Sequence, residues 1–246
     1  MPRKRPRVND PVRAHYAQAL RRRMLTAPEA VQRVLLSNRV NYWTGEECRQ
    51  FEKEFAAWCG TPHAVALANG TLALDVALKA LNVGPGDEVV VSRLDHDADV
   101  RPWVIHAERA GATVRWADFD PATGELTPDD VVRHVTPRTR LVALTGASNL
   151  IGTRPDLAAI GVGVHEHGAL LYVDGVHLTA HAPIDVAAIG CDFYACSPYK
   201  FLGPHCGVLA ADPALIFDTP VGQRYEKAMG LLGLAPWMLS PDAGHA

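Results

Sequence analysis

Beyond residue 60 the chain alternates short apolar runs with longer amphipathic stretches. The runs cover 63–67, 88–91, 113–116, 141–144, 169–173, 193–196 and 208–211. Continuous Val, Leu and Ala runs of this length predict strands covered on both faces, and the intervening segments are long enough for crossover helices. The expected fold class is α/β, a three-layer α/β/α arrangement with a mostly parallel seven-stranded sheet. Ahead of the sheet, helical periodicity starts near Pro11, breaks near Pro28 and ends about Leu36. A second helix is predicted from Glu46 to Trp58, where Phe51, Phe55 and Trp58 fall at i, i+4 and i+7 and share a face. These patterns divide the chain into a disordered basic tail (1–10), a helical segment (11–60), the α/β domain (61–215) and a tail or the start of a smaller domain (216–246).

Composition adds little to this picture. The 246 residues are 48% apolar and 21% charged with a net charge of −3, ordinary for a globular protein with no overall basic field. The charge is uneven, however: residues 1–23 carry eight Arg or Lys against one acid, Asp10. Such an arm is expected to be a solvated tail or to lie on a partner subunit, nucleic acid being the lesser reading. Five cysteines form no CxxC pair, a pattern that fits a reducing compartment. No apolar stretch reaches the roughly 18–20 residues that span a bilayer, and the basic N-terminus lacks an apolar signal core. A cytoplasmic location is expected.

In parallel sheets, ligands bind beyond the carboxyl ends of the strands. Five loops at that edge carry reactive side chains: Asn69-Gly70-Thr71, Asp95-His96-Asp97, Ser148-Asn149, Asp174 with His177, and Ser197 to Lys200. Lys200 follows Asp174 by 26 positions, each just after an apolar run. This pairing suits pyridoxal phosphate (PLP): a lysine holds the cofactor as a Schiff base, and a carboxylate keeps the pyridine nitrogen protonated. The amine released in turnover is expected to be buried. Gly70 and Thr71, between a strand and a helix, would let the backbone and a hydroxyl reach a phosphate, although Asn-Gly-Thr is also an ordinary turn and cap. His96 is a candidate to stack on the pyridine ring and shuttle a proton, or else a bystander in a capping turn. Asn149 and His177 are placed to reach the cofactor's phenolic oxygen, and Ser197 and Tyr199 its phosphate. His165, His167, His181 and His205 show no metal-binding spacing with carboxylate support and are expected to be structural or surface residues, so no metal site is expected.

The stretches DHDADVRPW, ALTGASNLIGT and YVDGVHLTAHAPIDVAAIGCDFYACSPYKFLGP resemble the class V aminotransferases of PLP fold type I, above all their cysteine desulfurase-like branch. The resemblance covers about 92–212 and is specific. It implies Lys200 as Schiff-base lysine, Asp174 as pyridinium partner, His96 as stacking ring, Asn149 and His177 near the phenolic oxygen, and Thr71 and Ser197 at the phosphate. Tyr199 stands where many desulfurases have histidine. Residues 1–91, with ANGTLALDVALKALNVGPGDEVVV, are instead similar to the sugar-nucleotide aminotransferases, another branch of the same fold type, so that the chain reads as a hybrid or a divergent sequence. Both families continue well beyond the lysine, and the expectation is a chain without their C-terminal domain, which holds the substrate-gripping arginine and the desulfurase cysteine.

The activity expected is that of a PLP-dependent aminotransferase using an amino donor and a keto acceptor, as a homodimer by resemblance. A lyase or desulfurase-like enzyme is the nearest alternative. An inactive fold-type-I scaffold with a binding or regulatory role is the rival from another class, and no helix-turn-helix pattern supports it.

Overall fold

The structure is a computed structural model that describes residues 28–39, 45–61, 63–67, 73–74, 77, 81–203, 205–211 and 215. The chain divides into two compact units, residues 1–50 and 51–246. The first contains helix α1 (28–37) and the opening turn of α2 (Glu47–Cys59). Within it Arg33 pairs with Glu47 at 2.8 Å, with both side chains largely exposed, a contact worth about 0–1 kcal/mol.

The second unit is built on seven strands: β1 (His63–Leu67), β2 (Glu88–Ser92), β3 (Thr113–Ala117), β4 (Thr139–Thr145), β5 (Leu170–Asp174), β6 (Phe193–Cys196) and β7 (Gly207–Ala211). They form one sheet in the order β1-β7-β6-β5-β4-β2-β3. Between them lie α3 (Asp97–Ala110), α4 (Pro128–Val132), α5 (Leu157–Glu166) and α6 (Val186–Ile189), with 3₁₀ turns at Leu178–Ala180 and Pro198–Phe201. Every apolar run of the sequence is a strand. The β2–β3, β2–β4, β4–β5 and β5–β6 pairs are parallel, whereas β7 runs antiparallel to both β6 and β1.

Burial on both sides follows from the period of two along each strand. On β4, Val142 and Leu144 face a core that includes Leu157, Ile160 and Val164 of α5, while Leu141 and Ala143 face the core around Trp103 of α3. On β5, Leu171 and Val173 join the α5 side and Tyr172 the α3 side. Trp103 meets Tyr172 edge-on, centroids 5.0 Å apart at 72°. Each ring is fully buried, worth about 2–3 kcal/mol by area. This contact locks α3 against the middle of the sheet. Phe51, Phe55 and Trp58 stack along α2 at 5.8 and 5.4 Å, as their spacing predicts. Among the described residues, no helix is long and apolar enough to cross a membrane.

Candidate active site

The antiparallel β7 decides where Lys200 sits. Ten residues separate Cys196 from Gly207, too few for the crossover that a parallel strand needs. The chain therefore turns back at the carboxyl end of β6, through Pro198–Phe201, with the Lys200 N–H donating to the Ser197 carbonyl at 2.9 Å. Lys200 is held at the edge where β2, β4 and β5 also end. β1, antiparallel to β7, runs in the same direction as β6 and ends there too.

Asp174 is the last residue of β5, in register with Thr145 of β4 and Ala195 of β6. Two residues on from Tyr172, it shares that ring's α3 side of the sheet. Val176 N–H donates to its carboxylate at 2.8 Å. Burial pushes the Asp174 carboxyl up, opposed by that hydrogen bond and by positive charge on His96 and Lys200. Charge on those two side chains therefore bears on one carboxylate.

His96 caps α3. Its Nδ1 accepts from Ala98 N–H at 3.0 Å, which fixes the ring's orientation and leaves Nε2 to carry the proton. The ring is exposed. The capping turn is present, and it does not decide whether the ring also stacks on a cofactor.

Lys200 is exposed rather than buried, a correction to the sequence expectation. Its turn projects the side chain off the sheet edge, where Nζ lies 5.3 Å from the centroid of the Tyr199 ring. Tyr199 in turn stacks flat on His205, 4.9 Å apart at 9°. The His177 imidazole is pushed down by burial first, then by the neighbouring charges of His181 and Lys200. Its ring lies 4.3 Å from that of His181. Two histidines read from the sequence as structural or surface residues thus stand against site residues. His165 and His167 serve the scaffold, through Asp192 at 2.9 Å and the Gly163 carbonyl at 2.9 Å. Ser197 is 4% exposed at the start of the lysine turn. Asn149 lies exposed in the turn after β4. Gly70 and Thr71 lie outside the described residues, as do the basic arm and the segment 216–246.

Sequence reasoning missed the carboxyls beneath Asp174. Asp95 read as a neighbour of His96 and Asp99 was given no role, yet the charge of Asp174 bears on both and raises them. Asp99 is 2% exposed in the first turn of α3. Its spacing of four residues from Trp103 was the available signal, because the buried indole N–H donates back to it at 3.4 Å. No group of three or more metal-binding side chains occurs among the described residues.

An amine, a carboxyl under its influence and an imidazole lie along one edge of the sheet. This donor set fits PLP, whose aldehyde needs an amine and whose ring nitrogen needs an anion.

The model of the class-V aminotransferase family matches residues 33–220, spanning the point near Ser92 where the resemblance changes branch. A cysteine desulfurase of Klebsiella pneumoniae subsp. pneumoniae is 39% identical over 156 residues, which is 63% of this chain and 35% of that protein. Among solved structures, a cysteine desulfurase of Escherichia coli superposes with a TM-score of 0.64 at 30% identity, covering 68% of this chain and 44% of that one. An aminotransferase of Psychrobacter cryohalolentis gives 0.61 at 36% identity, covering 77% and 48%. The chain spans less than half the length of each of these relatives.

Proposed function

The chain belongs to the class-V aminotransferase family, a family of PLP enzymes, and from that premise we propose that it binds PLP at Lys200 and works as an aminotransferase on a small amino substrate. The observation that carries this reading is that His96, Asp174 and Lys200 follow the carboxyl ends of β2, β5 and β6 along one edge of one sheet. When bound, PLP supplies an aldehyde that exchanges amines and a ring that withdraws electrons from the substrate's α carbon.

The chain's own residues do the rest. Lys200 would hold the cofactor through its amine, and its Nζ would serve as the base that moves the proton at the substrate's α carbon. Asp174, kept in place by Val176 N–H, presents an anion to the ring nitrogen. His96, oriented by its cap to Ala98, offers a fixed planar ring to stack on and an Nε2 proton. His177 and Asn149 reach for the phenolic oxygen. Ser197 and Tyr199, with Gly70 and Thr71, hold the phosphate. A homodimer is the expected assembly, in keeping with the family.

Three of the five thiols are poor candidates for sulfur transfer. Burial pushes Cys59 and Cys191 up to about 12, and Cys196 well above the usual thiol range. Such groups stay protonated and do not accept sulfur at neutral pH. The test is a panel of amino donors added to the PLP-loaded protein, followed by absorbance. Loss of the aldehyde form with release of a keto acid supports transamination. Sulfide or another eliminated group, with the aldehyde form regenerated, replaces it with a lyase.

A further inference from the structure

Three carboxyls converge beneath the carboxyl edge: Asp174 from β5, Asp95 from the loop after β2, and Asp99 from the first turn of α3. They are not equally served with donors. Asp174 has Val176 N–H and the positive charge of Lys200, joined by His96 when that ring is protonated. Asp95 accepts from the Ser92 hydroxyl through Oδ2 and lies beside the backbone N–H of Thr145, but its buried Oδ1 has no donor. Asp99 takes the Trp103 indole N–H on Oδ1, 3.4 Å away, and its buried Oδ2 has no donor. The Asp95 and Asp99 carboxyls lie within hydrogen-bond reach of each other.

Two buried carboxylates with bare oxygens so close would repel, and each would lack the partners that a buried charge requires. A proton on one carboxyl, donated to the other, relieves the repulsion and gives the pair a partner of its own. The groups around the pair settle where that proton sits. Facing it are Ser92 of β2, the Thr145 backbone of β4, Tyr172 and Asp174 of β5, and Trp103 of α3. None is a cation. Asp95 has the larger number of donors, so Asp99 keeps the proton and donates it.

We propose that Asp99 is a protonated acid hydrogen-bonded to Asp95, and that this pair is a positioning device which leaves Asp174 as the anion of the site. The directions of titration agree. Burial, foremost, pushes Asp95 up to about 7, and burial with the Asp174 and Asp95 charges pushes Asp99 well above the carboxylate range. Asp99 touches neither substrate nor cofactor in this scheme; it acts through Asp174. The pair itself stands on the unliganded protein. Its consequence for the cofactor rests on the PLP reading above.

Infrared spectra of the unliganded full chain at pH 7 test the pair. Wild type is expected to show the C=O stretch of a protonated, buried carboxylic acid, shifted by carboxyl ¹³C-aspartate labelling. Asp99→Asn, of the same size, is expected to lose it. Asp174→Asn is expected to keep it. Asp95→Asn, which changes the acceptor, is expected to shift the band without abolishing it, and serves if the Asp99 variant does not fold. No band in wild type, or a band indifferent to both Asp95 and Asp99 substitutions, overturns the pair.

The cofactor arm is separate. In Asp95→Asn the Asp99 proton stays but the pair loses its negative charge. The pH midpoint of the bound cofactor's absorbance change is then expected to move downward. An unmoved midpoint removes the positioning role while leaving the shared proton. Failure of PLP to bind even wild type counts against the cofactor reading, and the infrared result stands apart from it.

Discussion

At Asp174 two tendencies oppose each other. The end of a buried strand is a poor place for a charge, and desolvation favours the neutral acid. One backbone N–H and the nearby Lys200 pull the other way, as does His96 whenever its ring is charged. The next residue is equally constrained. Gly175 lies against the buried Tyr194 ring so closely that a Cβ would overlap its Cζ and hydroxyl. Tyr194 cannot retreat without giving up its hydroxyl contact with Thr179 at 2.8 Å. Gly175→Ala is expected to destabilise the fold by about 1–3 kcal/mol, read by chemical denaturation. A change within about 0.5 kcal/mol would mean that the Tyr194 contact is loose. Asp174 and Lys200 were legible in the sequence because each ends an apolar run, and strand ends are where ligands bind. Asp95 and Asp99 were not. Asp99 left one mark, its four-residue spacing from Trp103, but the placing of Asp95 against it depends on how α3 packs on the sheet.

At the scale of elements, the strands were legible because unbroken apolar runs have few other destinations than a two-faced sheet. The direction of β7 was not, since its run looks like the others, and only the ten-residue link from β6 distinguishes it. The opposite end of the sheet has a fastening of its own. Glu88 opens β2 with a side chain 1% exposed, held by Arg115 at 2.7 and 2.9 Å and by Arg138 at 2.6 Å, with the Thr136 hydroxyl at 2.7 Å. This ties β2 to β3 and to the start of β4. The Arg115 hydrogen bonds foremost hold Glu88 down to about 2, against a burial effect that raises it. Its contribution is present above the ordinary value of 4.5 and lost as pH falls through about 2. Glu88→Gln is expected to cost about 1–3 kcal/mol at pH 7, discounted for the partly exposed arginines, and to flatten the acid limb of a stability–pH curve. An unaltered acid limb would assign that limb to other carboxylates.

For the molecule as a whole, acid and alkaline behaviour have different origins. A carboxyl raised on folding does the reverse of Glu88. The folded state binds the extra proton, so stability is full below the unfolded value and falls as pH rises through the folded one. For Asp95 that window runs from 3.8 to about 7. The unliganded protein is therefore expected to melt at a higher temperature near pH 5 than near pH 8, and Asp95→Asn is expected to reduce the difference. Equal melting temperatures at both pH values in wild type would contradict the burial of an uncompensated acid there. The central claim is that Lys200 is the residue that carries the cofactor. Its most direct test is absorbance of the purified full chain mixed with PLP. Wild type is expected to gain a band near ~420 nm from the lysine-bound cofactor, and Lys200→Ala, folded by circular dichroism, to lack it. The same band in both proteins, or in neither, would contradict the account.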